Sequence, residues 1–299
     1  MRNLWFILVW ATALVLTGCA GFSPRRIEIG IEVQDKPAPT YAEAKEARKS
    51  EKVLINGVPV DKTKYAAIVR IRSASGAGCT ATLIGPKTLI TAAHCVKEGE
   101  KVSFTAVTGV TYTGVGDRHI EYPGKDVDIA LIYLDKAVEG IKPMSIRSDR
   151  FETKGMKLNI FGYGCTQPGG SGGNDGVLRT GIATVTGATT FDLISTGAGL
   201  CYGDSGGPVF YEDEKGVLWL IGINSKGNIK DTNYTTRLTL PITVDWLKKR
   251  ADEKGVAICG INVTCNGEDP PGPMPGDYYP FRFEIDLPDG STRKIEGKF

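Results

Sequence analysis

Three short segments carry residue types that together can transfer an acyl group. Thr91-Ala92-Ala93-His94-Cys95 offers an imidazole. Asp128-Ile129-Ala130-Leu131 sets a carboxylate at the head of an apolar run. Gly203-Asp204-Ser205-Gly206-Gly207-Pro208 places a serine among glycines. A serine hydroxyl is too weakly acidic to attack a carbonyl at neutral pH. An imidazole can take its proton and later return it to the leaving amine. A buried carboxylate fixes the imidazole tautomer and stabilises the imidazolium. Glycines beside the serine let the backbone pass close to a substrate carbonyl, so the N–H groups of Gly203 and Ser205 can converge on one point as an oxyanion hole. A lone histidine, or an aspartate opening a strand, is ordinarily structural. The chemistry is read from all three together, in the order His, Asp, Ser.

The rest of the chain must position them. Hydrophobic residues make up 41% and charged residues 23%, a globular composition that excludes a disordered chain. Lys+Arg 36 against Asp+Glu 34 leaves +2, which argues against a nucleic-acid partner held by phosphate neutralisation. Thirty-eight glycines, sixteen prolines and few helical patterns favour a β-rich fold. From residue 53 onward the predicted strands are 66–72, 79–84, 87–91, 101–106, 129–134, 157–161, 177–185, 218–224 and 235–240. Many short strands between Gly-rich turns suggest a sandwich or a barrel. One helix is predicted over 242–254, with Pro241 near its start, Gly255 as its stop, and Trp246, Leu247 and Ala251 as its buried stripe.

Beyond it, Cys259 and Cys265 are spaced to close a small loop, and 267–276 reads as a proline-rich linker. Residues 281–287 alternate apolar and polar, Pro288-Asp289-Gly290 is a turn, and 291–299 can return as a hairpin. A lone hairpin is marginal in water, so it is expected to dock, most simply on the main domain. With two histidines and no paired cysteine spacing, neither a metal site nor a cofactor is expected.

The first residues read as an address. A short positive start precedes 13 apolar-rich residues, Leu4 to Leu16, too few to span a bilayer. Leu16-Thr17-Gly18-Cys19 resembles a bacterial lipoprotein box. That resemblance implies a signal peptide over 1–18, lipid on Cys19 and anchorage in the cell envelope, with Ala20 pointing to the outer rather than the inner membrane. No apolar run reaches the ~18 residues of a membrane span, which excludes a multi-pass protein. Residues 19–52 read as a tether or propeptide, with 41–52 a candidate short helix or a plain spacer. Setting Cys19 aside leaves six of seven cysteines, an even number suited to disulfides in an oxidising compartment.

The three chemistry-bearing segments resemble those of the chymotrypsin/trypsin-like serine endopeptidases, over about residues 53–255. The resemblance implies an all-β fold for a protease domain over 53–257: two antiparallel six-stranded Greek-key barrels with a C-terminal helix, followed here by the 258–299 extension with its hairpin. It makes His94 the general base, Asp128 the orienter and Ser205 the nucleophile. Asp126 is passed over because the family pattern sets its aspartate directly before Ile-Ala-Leu, and His119 has no assigned role. Phe161-Gly162-Tyr163-Gly164 resembles a family turn, and Trp246 fits the family's terminal helix. Cys79 and Cys95 resemble the family bridge under the histidine loop. The usual partner of the cysteine near the serine is missing after Gly227, which leaves Cys165 for Cys201.

Ser225-Lys226-Gly227 resembles the strand that pairs with substrate backbone, with Lys226 where an aromatic residue is usual. Gly199 falls at the floor and Leu200 at the wall of the primary specificity pocket. An uncharged floor argues against Arg or Lys and toward small or apolar side chains, whereas Lys226 at the mouth would favour acidic ones. Asp204 resembles the partner of a freed N-terminal amine in zymogens, which a cut near Lys52 would generate at Val53 or Leu54 and which would release the enzyme from its lipid to the periplasm or exterior. The expected partners are a polypeptide substrate and, through lipid, a membrane, with the chain otherwise a monomer. The competing reading is a protease-like scaffold with an unused triad. An esterase of another fold is disfavoured, since the serine motif is not Gly-x-Ser-x-Gly and histidine comes first.

Overall fold

The computed structural model describes residues 54–76, 78–149, 152–170 and 175–265, and the backbone of 280–286 and 292–298. The signal segment, Cys19, the candidate helix over 41–52, Val53 and the proline-rich linker lie outside the described residues.

Period-two patterning makes the strands. In β5 (Lys101–Thr105), Val102 and Phe104 are buried while Lys101 and Thr105 are exposed. A sheet with one apolar face buries it most completely by closing on itself, and closure also removes hydrogen-bonding edges. The first barrel runs β2 (Ile68–Ser73), β3 (Gly78–Gly85), β4 (Thr88–Thr91), β7 (Ala130–Leu134), β6 (Thr111–Arg118), β5, and closes by β5 pairing with β2. The second runs β8 (Lys157–Gly162), β9 (Arg179–Ala188), β10 (Asp192–Gly197), β13 (Thr232–Arg237), β12 (Leu218–Gly227), β11 (Pro208–Glu212), and closes by β11 on β8. The two-residue β1 (Val58–Pro59) adds to β9. The architecture is therefore two closed six-stranded antiparallel barrels. Leu83, Ile90 and Leu131 are among the fully buried residues of the first core; Leu158, Ile160, Val209 and Ile221 fill the second.

The helix α1 (Pro241–Lys254) starts with Pro at its first turn and ends at Gly255, whose φ of 60° no β-carbon obstructs. It buries Trp246, Leu247 and Ala251, together with Thr243 and Val244. His119 is buried against Trp246, ring centroids 4.9 Å apart, with Nε2 3.5 Å from the Ile242 carbonyl. Burial pushes this imidazole below its ordinary value. Its role is to seat the helix on the first barrel.

Three strands of the barrels are absent from the pattern reading: β6, β10 and β11. β6 carries Gly114 and Gly116 and ends Asp117-Arg118, and β10 reads Asp-Leu-Ile-Ser-Thr-Gly. Their composition argues against a strand, and ladder pairing on both sides overrides it. The C-terminal hairpin forms, β14 (Pro280–Asp286) pairing with β15 (Thr292–Lys298) throughout. Its side chains, and with them its expected docking, lie outside the described part of the structure.

Candidate active site

Each barrel supplies half of one cleft. From the first come His94, on a single 3-10 turn (Ala93–Cys95) after β4, and Asp128, just before β7. From the second come Ser205, in the turn between β10 and β11, and Ser225 on β12. His94, Asp128, Ser205 and Ser225 line the same cleft. The histidine turn is held by burial of Ala93 and Cys95 and by the Cys79–Cys95 disulfide.

Asp128 has a side chain only 3% exposed, and its two oxygens share three hydrogen-bonding contacts. Oδ1 accepts the backbone N–H of His94 at 2.9 Å. Oδ2 lies 2.7 Å from His94 Nδ1 and accepts the Ser225 hydroxyl at 2.6 Å. Burial alone would raise this carboxyl. The bonds and charge from His94, and the bond from Ser225, outweigh it and hold the group below its ordinary value. Asp128 is thus an ionised acceptor aimed at Nδ1, which leaves Nε2 as the free ring nitrogen. Asp126 has a different partner: it pairs with Lys226 across the cleft mouth.

The serine turn is tightly tied except at two points. The N–H groups of Asp204, Gly206 and Gly207 donate to Cys201, Asn224 and Asp204 carbonyls at 3.0, 2.8 and 2.9 Å. Those of Gly203 and Ser205 have no partner among the described residues. Gly206 must be glycine: its φ is +80°, and a β-carbon would lie 2.0 Å from Thr91 Oγ1. Two unengaged amides flanking a pinned turn can receive an oxyanion.

Asp204 is wholly buried. Its carboxylate accepts the N–H of Gly164 at 2.8 Å and of Cys201 at 2.9 Å, and no cation pairs with it among the described residues. Burial pushes it up to about 7, against the weaker pull of those two amides and of the Arg179 charge. Cys165–Cys201 clamps the two loops that supply these donors, and Cys259–Cys265 closes the small loop after α1. Ile55 packs on the Cys165–Cys201 bridge, while Leu54 is 1% exposed in the second core.

The specificity end differs from expectation. Leu200, Gly227 and Lys226 line the cleft, but Gly199 is not among its lining residues. A β-carbon on Gly199 would meet the Lys230 carbonyl oxygen at 2.3 Å, so backbone of the 228–231 loop covers it. Ile229, on that loop, lines the cleft. The covering loop is only four residues long, joining β12 to β13. Asn228 Oδ1 accepts the N–H groups of Lys230, Asp231 and Thr232 at 3.0, 2.9 and 2.9 Å, and Gly197 N–H donates to the Asp231 carbonyl at 3.1 Å. Lys226 turns its ammonium to Asp126 and, at 3.6 Å, to Asp192. Two residues of this site escape a motif reading. The resemblance gives Ser225 a part only through its strand backbone, yet its hydroxyl serves Asp128. Thr80 carries no spacing signal and is buried under the serine turn.

A family described as Trypsin matches residues 54–247. The chain is 30% identical over 215 residues to the "Suppressor of tumorigenicity 14 protein homolog" of Bos taurus, covering 57% of this chain and 25% of that protein. It is 26% identical over 211 residues to "Transmembrane protease serine 11E" of Mus musculus, 58% of this chain and 48% of that one. It is 25% identical over 245 residues to "Snake venom serine protease 1" of Craspedocephalus gramineus, 71% and 93% of the two chains. The chain therefore spans a quarter to a half of the length of the first two.

Proposed function

The chain belongs to the trypsin family of serine endopeptidases, and on that premise we propose that it cleaves polypeptides by acylation of Ser205, with His94 as base and Asp128 as orienter. The carrying observation is the Asp128 carboxylate bonded to both the backbone and Nδ1 of His94. With Nδ1–H held by Asp128, Nε2 has the lone pair that receives the Ser205 proton as Oγ bonds to the scissile carbonyl carbon. The resulting oxyanion is met by the N–H groups of Gly203 and Ser205. Collapse breaks the C–N bond and the imidazolium returns the proton to the amine. Water, deprotonated by the same nitrogen, then hydrolyses the ester. A fluorophosphonate probe tests the assignment: Ser205 is expected to label, and the label to vanish in Ser205→Ala. An unlabelled wild-type protein of correct fold would favour the protease-like scaffold instead.

The preferred side chain at the attacked residue is small and uncharged. The Lys230 carbonyl lies against Gly199, Leu200 and Ile229 line the pocket, and the Lys226 ammonium at the mouth is engaged by two carboxylates. An arginine or phenylalanine there would have to displace backbone tied by Asn228. In a peptide-library profile, Ala or Ser at this position is expected to exceed Phe and Arg by at least about 100-fold in kcat/KM, the scale of a single misfitting methylene. Ile229→Gly should narrow that ratio, because it removes a side chain that lines the cleft, and at φ 56° a glycine is accommodated without strain. A wild-type preference for Arg or Lys would refute the covered floor.

Envelope anchorage through lipid on Cys19 rests on the N-terminal sequence; the three relatives described are animal proteins. Activation by cleavage is the accompanying proposal, with Leu54 favoured over Val53 as the new terminus. Leu54 is buried and stands at φ 47°, a backbone that costs a leucine ~1–2 kcal/mol and that a cut before it would relax. Ile55 touches the disulfide whose Cys201 amide serves Asp204. The mass of the mature N-terminus reads both proposals: an acylated Cys19 supports anchorage, a free Leu54 supports activation, and an unacylated, uncut chain with full activity rejects both.

A further inference from the structure

We infer that Thr80 is a positioning residue for acylation, a latch in the first barrel that holds the oxyanion loop of the second; the inference rests on Ser205 being the nucleophile. Thr80 lies on β3 beside Cys79 and is fully buried. All four of its hydrogen-bonding functions are spent on this site. Its N–H donates to the Ser205 carbonyl at 2.9 Å, and its own carbonyl accepts the Thr91 hydroxyl at 2.8 Å. Its hydroxyl oxygen accepts the Tyr163 N–H at 3.1 Å, and the single hydroxyl proton goes to the Gly203 carbonyl at 2.8 Å. No other direction is open, because an N–H only donates and a carbonyl only accepts.

The consequence follows from Gly203. It stands at φ 99°, where a glycine has wide freedom, and its N–H is one of the two unengaged amides. Freedom at that residue would blur the aim of the N–H. Fixing its carbonyl fixes the 203–204 peptide plane and narrows the φ and ψ left to Gly203, so less reorganisation remains for its N–H when the oxyanion forms. The same residue holds the carbonyl of Ser205, and the neighbouring Cys79 is bonded to Cys95, next to His94. Thr80 thereby ties nucleophile, base turn and oxyanion loop to one strand. Its hydroxyl is independent of any N-terminal amine at Asp204.

Thr80→Val keeps the shape and removes only the hydroxyl; Thr80→Ser restores the hydroxyl with less packing. Both are to be assayed on a peptide taken from the wild-type cleavage profile, with a peptide boronic acid as a mimic of the tetrahedral adduct. For Thr80→Val, kcat is expected to fall about 10- to 100-fold with KM nearly unchanged, somewhat less than loss of a direct oxyanion donor. Boronate affinity should fall in parallel, and Thr80→Ser should recover most of both. An unchanged kcat in Thr80→Val, or a loss that Thr80→Ser does not recover, overturns the latch while leaving the endopeptidase reading intact. Failure of wild-type Ser205 to label with fluorophosphonate overturns both.

Discussion

Ser205→Ala and His94→Ala are each expected to lower kcat by about 10⁵- to 10⁶-fold, and the double variant no further, since the two act as one relay. Asp128→Asn should cost about 10⁴-fold although it removes no atom from the cleft. The geometry gives the reason. Oδ1 faces a backbone N–H, which can only donate, so the amide oxygen of asparagine must stay there. The NH₂ group then occupies the Oδ2 position, 2.7 Å from His94 Nδ1. Two donors cannot face each other, so Nδ1 loses its hydrogen and Nε2 gains it. An Nε2 that already carries a proton cannot take one from Ser205. Ser225 can adapt by rotating its hydroxyl to accept. Steady-state kinetics on folded protein, with thermal midpoints as a control, check this. Activity of Asp128→Asn within tenfold of wild type would remove Asp128 from the mechanism.

In the intact chain, the unfolding free energy is expected to carry a pH dependence of up to ~4 kcal/mol from Asp204 alone. Its carboxyl rises from an ordinary 3.8 to about 7 on folding, and that gap is worth roughly 1.4 kcal/mol per pH step. Between those two values the folded chain holds a proton there that the unfolded chain has released. Stability from this group is therefore greatest below pH 4, falls as pH rises, and levels off above about 7. Asp204→Asn cannot titrate, and it sets its NH₂ against one of the two backbone donors at a cost that does not vary with pH. The informative quantity is thus the change in the wild-type-minus-variant difference. Denaturant titrations of uncut chain, in a Ser205→Ala background, should show that difference moving by up to ~4 kcal/mol in the variant's favour from pH 4 to 8. Parallel profiles would contradict an unpaired buried carboxylate. In cut protein, a freed amine beside Asp204 should abolish the slope, which links this measurement to the activation proposal.

The order and composition of the chain are enough to indicate most of the barrel strands, the terminal helix between Pro241 and Gly255, and the hairpin after residue 280. Those features are local: apolar periodicity, a ring that sets φ, a glycine that tolerates φ 60°. The residue types at His94, Asp128 and Ser205 were legible for a similar reason, because their chemistry is intrinsic to the side chain. What only the folded chain decides is who meets whom. The Thr80 hydroxyl reaches a carbonyl 123 residues away, and Ser225 reaches Asp128 across 97. Lys226 is turned from substrate to Asp126 by a contact 100 residues distant. Gly199 lies against backbone of a loop some thirty positions on, close enough that a β-carbon there would meet the Lys230 carbonyl. β6 and β10 exist because their neighbours demand ladder partners, against their own composition. Barrel closure is the common cause: it brings segments together by register and twist, quantities that no single stretch of sequence contains.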